Sequence, residues 1–173
     1  LGQVPRASQG RSKEGVGVLL TDPDQAVDFV QRTGVDSLAV ALGSVHGMRR
    51  QAAELDIERL QAIAERVSIP LVLHGASGVK DEYIEAAIDW GIAKINVATH
   101  LNMAFTQALR EAIAQNPQET DPRRLLAPAR EAIKQAVQAK VRLFRASGKA
   151  TNGTSSKSPF IHRSSLELRE NEE

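Results

Sequence analysis

The chain has 173 residues, enough for one compact domain with its own core. Its 22 Lys and Arg nearly cancel its 21 Asp and Glu, which argues against nucleic acid or an anionic membrane as a partner. Without cysteine it has no disulfide, thiolate nucleophile or zinc–thiolate site, and no apolar run approaches the roughly 18–20 residues of a membrane helix. No secretory signal is visible, so a cytoplasmic chain is the expectation. The sequence opens on Leu1 rather than methionine, which suggests a fragment or a processed product.

Residues 1–19 read as loop, because Pro5, Ser8, Gly10, Ser12, Gly15 and Gly17 interrupt any period. A helix then starts at Thr21-Asp22-Pro23-Asp24: Thr21 or Asp22 caps it, Pro23 suits its first position and Asp24 its positive end. Ala26, Val27, Phe29 and Val30 give this helix an apolar face, Gly34 stops it, and 36–42 follows as a strand.

After a loop around 47–55 the cycle repeats. Ile57, Leu60, Ile63, Ala64 and Val67 recur at helical spacing, and Pro70 opens a strand over 71–74. Gly75-Ala76-Ser77-Gly78 turns into a helix over 81–90, closed by Gly91. A third strand covers 93–97, and Thr99 begins a long helix to about 114. Connections of two to three residues from helix to strand, and strands apolar throughout, predict a parallel sheet covered on both faces. Only three βα units are convincing, whereas a closed (β/α)8 barrel needs eight. The expectation is therefore the C-terminal half of such a barrel over residues 1–150. Asp121-Pro122 starts a turn, 124–146 reads as helix, and 151–173 reads as a disordered tail.

Two of these strands end in a histidine followed by glycine: His46-Gly47 and His74-Gly75. Parallel sheets bind ligands and metals at this end. Two imidazoles delivered to one rim suggest a metal site, with two satisfied polar side chains the plainer reading, and a catalytic zinc takes three protein ligands. His100, in the first turn of its helix, is a weak third candidate that more naturally faces solvent, and His162 in the tail is set aside. The 75–78 turn before a helix, and Asn96-Val97-Ala98-Thr99 before the next, each offer backbone N–H groups and a helix N-terminus to a phosphate. Ser44 lacks the base and acid of a nucleophile, Asp36 sits at the opposite rim, and Lys94 is the metal-free rival as a Schiff-base lysine.

These motifs together resemble the class II, zinc-dependent ketose-bisphosphate aldolases. The likeness rests on Gly43-Ser44-Val45-His46-Gly47, Pro70 through Gly78, and Lys94 through Thr99, preceded by Thr21-Asp22-Pro23 and Thr33 through Val40. Asp121-Pro122-Arg123, Pro128, Arg130 through Lys134 and Gly148-Lys149-Ala150 look like the family's C-terminal helices. The resemblance covers roughly 16–150 and implies a (β/α)8 barrel that cleaves fructose 1,6-bisphosphate reversibly in glycolysis. The products are dihydroxyacetone phosphate and glyceraldehyde 3-phosphate, with tagatose 1,6-bisphosphate the alternative substrate. His46 and His74 are then two of three zinc ligands. Gly47, Gly75, Ala76, Ser77, Asn96, Val97, Ala98 and Thr99 contact dihydroxyacetone phosphate, assisted by a monovalent cation, Na+ or K+. The family's third zinc histidine and acid/base aspartate form an Asp-His pair on an early strand, which this sequence lacks. The resemblance places that pair before residue 1 and implies a homodimer or tetramer for the full-length enzyme. A catalytically inactive half-barrel is the rival reading.

Overall fold

In the computed structural model, residues 2–4, 6 and 19–150 are described. The 151–173 tail and most of the 1–19 segment lie outside them, as does His162.

The first helix forms for the local reasons its sequence suggests. Helix α1 spans Pro23–Thr33; Asp22 caps it, its carboxylate accepting from the Gln25 amide at 3.0 Å, and Gly34 ends it at φ +65°. Thr21, the other candidate cap, is instead buried, its hydroxyl accepting from the Ala41 amide at 2.8 Å. Strand β1 (Leu38–Val40) follows, then helix α2 (Ile57–Ala64), capped by Asp56. Next come strand β2 (Leu71–Leu73), a short 3-10 turn over Ala76–Gly78, helix α3 (Asp81–Asp89) and strand β3 (Ile92–Ile95). Helix α4 (Thr99–Gln115) and helix α5 (Pro122–Leu143) pack on each other, and α5 continues through Pro128.

The three strands form one parallel sheet in the order β1-β2-β3. Leu38, Val40, Leu71, Leu73 and Ile92 join the hydrophobic core with Leu60 and Ile63 of α2 and Ile84 and Ala87 of α3. Each fully buried leucine or isoleucine there contributes roughly 1.5–3 kcal/mol. The opposite face carries the cross-sheet row Ala39–Val72–Lys94, whose two ends are exposed. Coverage on both faces is thus corrected: among the described residues, helices cover one face only.

The connections also differ from expectation. Four residues separate α1 from β1 and six separate α2 from β2; only the α3–β3 link has two. Val67 explains the longest of these. It keeps the helical period and packs in the core, but from a turn that follows the end of α2.

Candidate functional site

Each parallel strand sends its chain out at the same edge of the sheet, and the side chains that carry chemistry gather there. His46 and His74 face each other edge to face, their ring centres 5.9 Å apart. Ser44 explains why the two loops keep this spacing. It is buried to 1% exposure, and its hydroxyl donates to the His74 carbonyl at 2.6 Å, pinning the loop after β1 to the residue that follows β2. The backbone of Arg6 runs alongside in a parallel bridge to His46.

Asn96, just beyond β3, places its side-chain nitrogen 3.3 and 3.4 Å from the two ring nitrogens of His74. The amide therefore restrains the imidazole from the third strand. Burial first, then the neighbouring His74 and Arg6 charges, hold the His46 pKa below its ordinary value. A neutral imidazole with a free lone pair is the form a metal binds.

The donor set suits two positions of a zinc site. Two imidazoles on one tetrahedral ion, bonded at about 2.0–2.1 Å, hold their ring centres about 5 Å apart. The observed 5.9 Å is close to that. Among the described residues no group of three or more His, Asp, Glu or Cys gathers as a metal cluster. The side chain of His100 is exposed, and its backbone N–H meets the Ser77 hydroxyl at 3.4 Å.

Beside the histidines lies a cleft of about 110 Å³, lined by His46, Gly47, Gly75, Ser77, Asn96, Val97, Ala98 and Thr99. Its floor is the turn after β2, where Gly75 takes φ +69°. Its far wall is the N-terminus of α4. That 17-residue helix has no side-chain cap, since Ala98 occupies the cap position, so the positive end of its dipole and its first amides border the cleft. Neutral donors, a helix dipole and the His46 imidazole make a pocket suited to an anion, with the His74 ring next to His46 as the second donor to a metal beside it.

Seven of the eight residues expected to contact substrate line this cleft, the eighth lining residue being His46. Ala76 does not. It is buried in the core at 3% exposure, and its carbonyl accepts from the Val79 amide. Its side chain turns inward, and alanine is small enough to do so. Lys94 is exposed, on the uncovered face of the sheet. Asp36 is exposed two residues ahead of β1, at the opposite rim. The Ser44 tie and the approach of Arg6 escape sequence reading because both depend on how separate strands align.

Comparison with known proteins bears on this arrangement. The family model for class II fructose-bisphosphate aldolase matches residues 1–149. Among solved structures, the YdjI aldolase of Escherichia coli K12 is 44% identical with TM-score 0.62, covering 76% of this chain and 47% of its own. A Coccidioides immitis protein, a candidate fructose-1,6-bisphosphate aldolase, is 30% identical with TM-score 0.66, over 86% of this chain and 51% of its own. The fructose-bisphosphate aldolase of Campylobacter jejuni shares the fold at 23% identity and TM-score 0.64, over 78% and 49%. The chain thus spans about half the length of each of these structures. With the family's match running through every strand and helix around the cleft, the chain belongs to the class II fructose-bisphosphate aldolases.

Proposed function

We propose that this chain is the C-terminal half of a zinc-dependent ketose-bisphosphate aldolase and holds its phosphate site. The observation that carries the reading is the cleft itself: one imidazole, His46, and an uncapped helix N-terminus border one small pocket, with the His74 ring 5.9 Å from that of His46. The favoured reaction is reversible cleavage of fructose 1,6-bisphosphate to dihydroxyacetone phosphate and glyceraldehyde 3-phosphate. The exposed Ala39 and Lys94 on the sheet's uncovered face support a barrel completed by other residues, and the proposal extends to a cytoplasmic, oligomeric glycolytic enzyme.

His46 and His74 would hold the zinc, with the third ligand and the acid/base carboxylate supplied from outside the described residues. When bound, zinc supplies Lewis acidity at the ketone or enediolate oxygen of the substrate. The chain's own residues do the positioning. Ser44 holds the His74 backbone carbonyl and Asn96 restrains its ring. The amides around Gly75 and Ser77, with the first turn of α4, anchor the phosphate of dihydroxyacetone phosphate, and a monovalent cation assists there. Anchoring the phosphate holds the reacting carbons in register, the contribution that orientation makes to rate.

The test is cleavage of fructose and tagatose 1,6-bisphosphates by the polypeptide that carries this chain, with and without chelator. His46→Ala and His74→Ala should each abolish stoichiometric zinc and reduce cleavage by orders of magnitude. Cleavage indifferent to chelator and to both substitutions would refute the zinc reading and return attention to Lys94.

A further inference from the structure

The segment after His46 does more than connect β1 to α2. It folds back across the turn that follows β2 and binds it as a strap. The amides of Ala52 and Ala53 both donate to the Gly78 carbonyl, at 2.9 and 2.8 Å, and the Lys80 amide donates to the Ala53 carbonyl at 3.1 Å. Ala53 and Val79 form a parallel bridge. The Gln51 side-chain nitrogen donates to the Val79 carbonyl at 3.2 Å and to the Asp81 carboxylate at 2.7 Å. Glu54 and Lys80 add an ion pair.

At the root of this strap, Met48 fills the space over Gly78. A Cβ built on Gly78 would stand 2.7 Å from the Met48 sulfur and 2.9 Å from its Cγ, well inside contact distance. Nothing in the backbone requires glycine there by a left-handed φ. Gly78 has no side chain because Met48 occupies that volume. Met48 in turn packs against the hydrophobic core, so the contact rests on a fixed support.

Both partners sit beside the cleft: Met48 follows Gly47, and Gly78 follows Ser77, two of its lining residues. We infer that Met48 is a positioning residue for the anion site, holding the 75–78 turn at the height where its amides and the Ser77 hydroxyl face the α4 N-terminus. A thioether suits this role, since an unbranched, polarizable chain lies flat over a glycine. The inference deepens the aldolase reading and rests on it for the identity of the anion.

The experiment uses the polypeptide that carries this chain, with backbone amide resonances of Gly75, Ala76, Ser77 and Thr99 as the readout and inorganic phosphate as the probe. In the unliganded chain, Met48→Ala should shift the 75–77 amides, and Met48→Leu should shift them much less. Phosphate affinity should fall about tenfold in Met48→Ala, as expected when a contact set is misplaced by a fraction of an ångström, and recover in Met48→Leu. Gly78→Ala should behave like Met48→Ala, and the double variant Met48→Gly with Gly78→Ala should regain part of the loss, because the collision is gone. Unmoved 75–77 amides in Met48→Ala, or equal losses in the alanine and leucine variants, would overturn the positioning role. Wild-type chain that binds no phosphate would instead count against the aldolase reading of the cleft, while the unliganded shifts still decide the role of Met48.

Discussion

Ser44→Ala tests the claim that one buried hydroxyl sets the spacing of the two histidines. The substitution keeps the Cβ and opens almost no cavity, so its cost is the hydrogen bond. At 2.6 Å from a buried hydroxyl to a part-buried carbonyl, the Ser44–His74 bond is short and well placed. Losing such a bond costs about 1 kcal/mol, and more when a buried acceptor is left unsatisfied, so about 1–2 kcal/mol is expected. For a chain of this size each kcal/mol lowers Tm by about 2–4 °C, giving a drop of about 2–8 °C. Thermal unfolding by circular dichroism measures it, with Ser37→Ala as control, since Ser37 is exposed and such changes stay within about 0.5 kcal/mol. The His74 carbonyl is released in the same step, so zinc affinity, read by competition with a chelator, should fall as well. A Ser44→Ala chain that melts with the Ser37→Ala control and binds zinc as tightly as wild type would refute the reasoning.

Two further outcomes follow from backbone strain and from charge. Gly75→Ala and Gly34→Ala impose similar left-handed angles, φ +69° and +65°, but only at Gly75 does the added carbon crowd neighbours, 3.1 Å from Val45 and 3.2 Å from Val4. Both should cost about 1–2 kcal/mol for the backbone, with Gly75→Ala the worse; equal melting temperatures would show that the turn yields freely. Asp121, which caps α5, has its pKa held below the ordinary carboxylate value by hydrogen bonds from the Arg123 side chain and backbone. A depressed folded-state pKa stabilises the fold above the unfolded-state value and loses that contribution as pH falls through the folded one. Denaturant midpoints at pH 7 and pH 3 should therefore fall further for wild type than for Asp121→Asn, and equal falls would contradict the assignment.

What the sequence makes legible here is what is local. The ends of α1 follow from Asp22, Pro23 and Gly34, each acting within a few residues of itself. The cleft's lining follows from the same economy: a histidine or asparagine at a strand's end, then a residue that lets the chain turn. Ala76 does not line the cleft, because the rule sees the turn but not which way each side chain in it points.

The strands show the opposite case. The strand expected over 36–42 is longer than β1, and at its far end Ala41 and Leu42 leave the ladder: the Ala41 amide goes to the Thr21 hydroxyl, and the Leu42 carbonyl accepts from the Asp56 amide. Those partners are 20 and 14 residues distant, so no window on the sequence contains both ends of the bond. The same holds for Ser44 with His74 and for Met48 with Gly78, separated by 30 residues each. In both pairs one member stands within two residues of a histidine–glycine strand end and the other within four. The parts of the site that sequence reading finds are thus held in place by parts it cannot find, because register between strands exists only once the chain has folded.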